Sequence, residues 1–477
     1  MSSKNKKTFS IKNIKKEFRI IIVGVLIIIL FAVSVFWRRS YLLSESNLTP
    51  VQLTQEQNQI LSDRISSNNY ERSEIIHSLP YEYPYPSLEI NAEAAVLVNC
   101  DTGDILYKKN ADKEIPPASM TKLFLMYTVF EKISEGKASL DDVVPLPPES
   151  WASHMPPHSS LMFLGKGQHV TLKELLTGLA VCSGNDASHA IAFYLFGNIE
   201  NFLSEVNRQI KLCGLEKTVI VEPSGYSEQN ITTAEEMAKF ARIYLTKYPE
   251  SLEMFHSVKN FSYPTQNNIA PEDYGKKSQV FRGQFPDSIW TTIVQENTNG
   301  LLKTLYGCDG LKTGYIEESG YNLSLTCKRR GERYLSITMG GPGSNFIEGD
   351  SLRQKDGETL QEYAFSHFRE IRSITEDELS VVVPLLGAKN GSVKLTVPYD
   401  VRTCVPVKIF ADEDINLNFM IPPALFGKIQ AGKEYGKLRI SINGMIIEEV
   451  PLVADRDIEN AFFLQQFIDR VVYQTIK

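Results

Sequence analysis

Pro116-Pro-Ala-Ser-Met-Thr-Lys-Leu-Phe-Leu-Met-Tyr-Thr-Val-Phe-Glu-Lys132 is the stretch from which the fold of this 477-residue chain is read. Two prolines ahead of a long apolar run mark a helix start, which places Ser119 in the first turn of a buried helix. Residues three apart share a helix face, so Lys122 lies beneath the Ser119 hydroxyl. A serine hydroxyl is a poor nucleophile at neutral pH and needs a base within hydrogen-bond reach. Lysine can be that base if burial or a second cation lowers its pKa from ~10.4. The positive end of the helix dipole then favours a developing oxyanion. Ser-x-x-Lys also arises by chance, and Ser3-Lys-Asn-Lys6 is such a copy, set in a basic tail with no apolar periodicity behind it.

Two further motifs follow in order. The apolar run from Leu175 halts at Ser183-Gly-Asn185 and resumes at Ala187, which predicts a turn between helices that exposes a hydroxyl and an amide to a cleft. A plain helix cap would use the same residues. Lys312-Thr-Gly314 follows Cys308-Asp-Gly-Leu311 and precedes Tyr315. Beyond it, Tyr321–Cys327 and Arg333–Gly340 read as adjacent strands separated by turn residues. Lys312 then lies on a strand edging the cleft, as the second cation, and Gly314 admits a substrate backbone as an added strand. Each motif alone has an ordinary structural reading. Their conjunction in one order describes an acylating serine hydrolase that needs no histidine.

These motifs, with Ala94-Ala-Val-Leu-Val-Asn-Cys-Asp-Thr-Gly-Asp-Ile-Leu-Tyr107, Ser159-Ser-Leu-Met-Phe-Leu164, Asn299-Gly-Leu-Leu302 and Gly320-Tyr-Asn-Leu323, resemble the low-molecular-mass penicillin-binding proteins. Within that group the chain is most similar to the serine-type D-alanyl-D-alanine carboxypeptidases, over roughly residues 85 to 370. A weaker likeness continues to Pro451-Leu-Val-Ala454 and Glu459-Asn-Ala-Phe-Phe463. The resemblance implies an α/β (α+β) fold: a β-lactamase/transpeptidase-like catalytic domain with an antiparallel sheet and a helical lobe carrying Ser183, then a small all-β domain. It implies that Ser119 attacks the penultimate D-Ala carbonyl of a peptidoglycan stem pentapeptide while Lys122 takes its proton. Ser183 and Lys312 relay a proton to the departing D-Ala, and Asn185 positions the substrate amide. Substrate would meet Lys312, Thr313, Gly314, Tyr315 and Arg353, with the oxyanion held by the N–H groups of Ser119 and Tyr315. No cofactor or metal is implied, and a β-lactam would leave Ser119 acylated.

The chain departs from that pattern at several places. Ile316 stands where threonine is usual, and Thr265 to Val294 is longer than the equivalent connection, reading as an inserted loop that flanks the cleft. Extra residues at Gly343 to Gly349 precede Arg353, and Glu222-Pro-Ser-Gly225 offers a serine where some relatives carry histidine.

Composition gives the address. Ile20 to Trp37 is an uncharged apolar run, preceded by seven Lys and Arg against Glu17. It is just long enough to cross a bilayer, with the basic flank retained inside. Arg38-Arg39 replaces the small residues of a cleavage site, so an uncleaved anchor is favoured over a signal peptide. The first 39 residues carry nine basic and one acidic residue, leaving a body near −15 in a chain of net −7. An acidic, exported body argues against nucleic-acid binding.

The expected layout is a basic tail (1–19), an anchor (20–37), a polar linker (38–84), a catalytic domain (85–372), a β-rich domain (375–455) and an amphipathic helix (458–477). That last helix either docks on the β domain or binds the membrane interface. Six cysteines (100, 182, 213, 308, 327, 404) lack metal-like spacing; pairing is possible outside the cytoplasm, but sequence gives no connectivity. Cys182 and Cys327, in apolar runs, read as small buried thiols. A β-lactamase, a D,D-transpeptidase and a silent wall-binding scaffold remain the alternatives.

Overall fold

The computed structural model describes residues 11–67, 75–276, 286–371, 379–399, 401–407 and 415–476. Most of the basic tail and positions 277–285 of the inserted loop lie outside them. The chain divides into two compact units.

The first unit comprises residues 74–370 and 402–410. Its sheet holds β1 (His77–Ser78), β2 (Ala94–Asn99), β3 (Asp104–Lys109), β4 (Cys308–Ile316), β5 (Gly320–Arg329) and β6 (Glu332–Gly341), in the spatial order β1-β3-β2-β6-β5-β4. Every pairing is antiparallel except that of β1 with β3. Alternation along β2 divides the core: Ala94, Val96 and Val98 enter one cluster, Ala95 and Leu97 the other. Both faces are therefore covered, and all six residues of β2 are buried.

The larger cluster joins the sheet to a helical lobe of α3 (Lys122–Ser134), α4 (Leu172–Val181), α5 (Asn185–Phe196), α6 (Ile199–Leu212) and α7 (Ala234–Lys247). Three of their starts are capped by side chains. Thr171 and Glu174 form a reciprocal capping box on α4, Asn198 caps α6 and Thr233 caps α7. The opposite face is closed by α8 (Phe346–His367), through Leu360, Ala364 and Phe365. Strand β4 is the sheet's outer edge, as read for Lys312.

The inserted stretch connects a hairpin of Asn260–Tyr263 with Ile293–Glu296. It packs on the neighbouring loop, where Lys166 N–H donates to Asp287 O and Gln168 to Ile289 O. None of its described residues lines the cleft around Ser119.

The second unit comprises residues 1–73, 371–401 and 411–477. Its six-stranded sheet runs β9-β11-β12-β8-β7-β10, from β7 (Val381–Leu386), β8 (Ser392–Thr396), β9 (Ile415–Met420), β10 (Leu425–Phe426), β11 (Glu434–Ile442) and β12 (Met445–Ala454). Helices α1 (Ile11–Leu42) and α9 (Phe463–Ile476) pack together beside it. The stretch read as a polar linker is in part ordered: α2 (Gln55–Ser67) is a helix whose Arg64 pairs with Asp457. Its Gln- and Glu-rich composition is a good helix former as well as a good spacer.

Candidate active site

Ser119 sits in a 3-10 turn, Ala118–Thr121, and α3 begins only at Lys122. This tightens the sequence reading, because positions i and i+3 eclipse in a 3-10 turn and the lysine stands directly over the hydroxyl. Ala118 enters with φ +48°, a left-handed value rare outside glycine. The turn is clamped from two sides. Asn322 of β5 donates to Pro116 O at 3.0 Å. A Cβ on Gly314 would come within 2.6 Å of Pro117 O, so this glycine is required by the nucleophile's own turn, whereas sequence assigned it to the substrate backbone.

Lys122 is fully buried. Its Nζ donates to Ser119 Oγ at 2.9 Å, Asn185 Oδ1 at 2.8 Å and Ser224 O at 2.5 Å. Burial lowers its pKa to about 7, against the opposing charges of Glu222 and Asp186. Two acceptors fix two of the N–H directions. The remaining tetrahedral position faces Ser119 Oγ and holds a proton in the ammonium and a lone pair in the amine.

Lys312 is also buried, and its Nζ donates to Thr313 O at 3.0 Å. Burial first, then the ammonium of Lys122 and the guanidinium of Arg353, push its pKa well down. Ser183 occupies the turn between α4 and α5 with φ +59°, and its buried Oγ has no hydrogen-bond partner among the described residues. A strained backbone and an unsatisfied hydroxyl on one residue are what a site awaiting substrate displays. Thr313 Oγ1 lies 2.7 Å from Thr298 Oγ1. Arg353 is buried against β4, donating to Gly314 O at 3.4 Å and pairing with Asp350.

The cleft has a volume of about 550 Å³ and is bounded by Ser119, Ser159, Asn185, Tyr226, Tyr315 and Glu318, among others. Ser119, Lys122 and Asn185 thus form one hydrogen-bonded cluster at its floor. Among the described residues, Ser183, Lys312, Thr313 and Arg353 make no hydrogen bond to this cluster.

Sequence reasoning missed the supports. The Asp186 carboxylate accepts from the N–H groups of Met162, Phe163 and Leu164, holding the cleft's far wall. Glu222 accepts from Ser224 N–H at 2.7 Å and Tyr226 N–H at 2.8 Å, which aims the Ser224 carbonyl at Lys122. Its burial is overcome by those bonds and by His189, which bring its pKa to about 2. No local signal marks either carboxylate, since both act across more than twenty residues or through a turn.

A serine bonded to a depressed lysine, beneath a sheet edge carrying a second buried lysine, defines an acyl-transferring serine enzyme of the transpeptidase-like fold. Family models agree: residues 81–343 match "D-alanyl-D-alanine carboxypeptidase" and residues 368–460 match "Penicillin-binding protein 5, C-terminal domain". The chain belongs to the D-alanyl-D-alanine carboxypeptidase family of serine peptidases. It is 30% identical over 379 residues to the D-alanyl-D-alanine carboxypeptidase DacF of Bacillus subtilis, covering 78% of this chain and 87% of that one. It is 26% identical to DacA of Escherichia coli, covering 80% and 87%. The crystal structure of penicillin binding protein 5 from Haemophilus influenzae superposes with a TM-score of 0.66 at 25% identity, covering 79% of this chain and all of that one.

Proposed function

We propose that this chain removes the terminal D-Ala from peptidoglycan stem pentapeptides through a Ser119 acyl-enzyme. The observation that carries this reading is the three-way clasp on Lys122 Nζ, which leaves its third position facing the hydroxyl. With its pKa near 7, a large share of Lys122 is free amine at neutral pH and takes the Ser119 proton as the oxygen attacks. The oxyanion is met by the N–H groups of Ser119 and Tyr315. Ser183, without a hydrogen-bond partner among the described residues, passes a proton from the lysines to the departing D-Ala amine. Asn185 positions the substrate amide, Lys312 and Thr313 meet the terminal carboxylate, and Arg353 supports that pole from behind Gly314. Water then hydrolyses the ester. A β-lactam enters the same path and stops at the acyl-enzyme.

The direct test is D-Ala release from a synthetic pentapeptide by the full chain in detergent, beside Ser119→Ala. Release that vanishes in the variant supports the reading. No release from folded wild-type protein overturns it and turns attention to β-lactam turnover.

The same reading places the catalytic unit outside the cytoplasm on a retained anchor. Within α1, Phe18–Leu42 is long and apolar enough to cross a membrane. Its far end is built into its own unit: Arg38 Nε meets the buried Asp469 of α9 at 2.8 Å, and Phe31 lies 5.7 Å from Phe467 between ring centres. A cleaved segment would leave Asp469 without that cation. Phe462, Phe463, Leu464 and Phe467 are exposed beside this seam and suit the membrane interface. Deleting 460–477 in a chain already lacking α1 tests this: release from membranes supports an interfacial role, and unchanged partitioning removes it.

A further inference from the structure

The six cysteines stand as thiols, and two of them face each other. Cys308 of β4 and Cys327 of β5 are direct cross-strand partners. The Lys328 N–H donates to Gly307 O at 2.9 Å, whereas the Cys308 N–H turns back to Leu305 O. The flanking bond therefore lies outside the pair, which makes it a non-hydrogen-bonded pair, the closer of the two antiparallel kinds. Facing Cα atoms in such a pair are ~4.5 Å apart, inside the 4.4–6.8 Å range that a disulfide spans. Cys327 is fully buried in the smaller sheet cluster, and the half-buried Cys308 packs against it from the sheet's edge.

We propose that Cys308 and Cys327 are a disulfide-forming pair that staples the edge strand carrying Lys312 to the body of the sheet. Two roles follow from the environment. Cys308 is the accessible thiol; the facing Cys327 thiol, opposed by burial, lowers its pKa, so it forms the thiolate first. Cys327, pushed up by the facing Cys308 and by burial, is the resolving thiol.

The oxidant is a disulfide, either of a small thiol such as glutathione or of an exchange enzyme. The Cys308 thiolate attacks one of its sulfurs and expels the other as a thiol. Cys327 then attacks Cys308 Sγ and expels the second. Two protein thiols lose two hydrogens and one disulfide becomes two thiols. Edge strands are held on one side only, and β4 has a register shift between Cys308 and Gly310, so this end of the strand gains from a covalent tie. The inference uses the outward placement proposed above only for where such an oxidant is met; its readout is thiol chemistry and is independent of D-Ala release.

The experiment is incubation of the reduced full chain in detergent with oxidised glutathione, followed by intact mass and peptide mapping after alkylation in denaturant. The expected result is a loss of two hydrogens with no retained glutathionyl group and a linked pair of peptides holding Cys308 and Cys327. The unfolding midpoint should rise by roughly 5–10 °C. Cys327→Ser should trap one glutathionyl group on Cys308, and Cys308→Ser should leave Cys327 unmodified. A wild-type chain that keeps the adduct, keeps both thiols alkylatable, or links Cys308 to another cysteine overturns the proposal.

Discussion

The two catalytic lysines and the buried Asp469 of the other unit treat buried charge in opposite ways. In the catalytic unit Lys122 and Lys312 lie fully buried, and among the described residues neither forms an ion pair. In the other unit the buried Asp469 is met by Arg38 and by the Gly387 N–H at 2.8 Å. An uncompensated buried ammonium is unstable relative to its amine, so its proton becomes available for chemistry. A buried charge met by an opposite charge fastens one element to another. The same burial thus yields reactivity at the catalytic lysines and attachment at Asp469.

The sharpest way to break this contrast is Lys122→Met. Acylation by a β-lactam should fall by at least ~10³-fold, the scale of a lost general base coupled to a nucleophile. The unfolding midpoint should stay within a few degrees, because the side chain that leaves was an unfavourable guest. In the wild type, acylation should climb tenfold per pH unit below an apparent pKa near 7 and level off above it. Stability carries the matching signature. The folded-state pKa lies below the unfolded value of ~10.4, so between them the unfolded chain binds the extra proton and stability rises with pH. Lys122→Met should remove the Lys122 part of that rise and leave the part that the buried Lys312 contributes. An acylation limb at pH 9 to 10 would show that burial does not lower this lysine.

Gly225→Ala strikes the same centre through the backbone. Gly225 has φ +81°, and a Cβ there would lie 1.9 Å from the Ala118 carbonyl oxygen and 3.0 Å from Ser119 N. Neither atom can yield without moving the nucleophile, so D-Ala release should drop by about 10²-fold, as for misplacements of order 1 Å. Unchanged turnover would mean that the Ser119 turn is soft.

Much of this was legible in the sequence, for a physical reason. Ser119, Lys122, Ser183, Asn185 and Lys312 sit where helix starts, helix breaks and strand edges fall, and those are written locally in Pro, Gly and apolar periodicity. The helices that flank Ser183 and the strands read at Tyr321–Cys327 and Arg333–Gly340 followed from the same periodicity, whereas the helical lobe as a whole came from the family resemblance. What escaped was set by distant contacts. Asp186 supports a segment more than twenty residues upstream, and Gly314 is small because Pro117 lies against it. The helix Gln55–Ser67 escaped too, because its hold is Arg64 on Asp457, almost four hundred residues away.

Arg38→Ala tests the fastening side. It leaves the Asp469 carboxylate buried with one backbone donor, at a cost of about 2 kcal/mol, taken below the usual range because Arg38 is partly solvent-reached. Hydrogen exchange across residues 463–476 should accelerate by roughly 30-fold, while D-Ala release in detergent holds steady. A matching loss of activity would tie the anchor seam to the active site and dissolve the division of roles.

The smallest effect is expected at Gly444, and it completes the comparison with Gly225. Both glycines have φ near +80°, so an alanine at either meets the same backbone penalty of ~1–2 kcal/mol. Their surroundings differ. Gly444 closes the Asn443-Gly444 turn between β11 and β12, and a Cβ there meets nothing within 4 Å. Gly444→Ala should therefore lower the stability of its unit by about 1 kcal/mol with no change in D-Ala release or β-lactam acylation. If the two variants proved equally harmless to catalysis, conformational strain alone would account for Gly225, and the close approach to Ala118 would carry no functional weight. If Gly225→Ala alone silences the enzyme, the difference measures how tightly the backbone behind Ser119 must be held for the lysine above it to work.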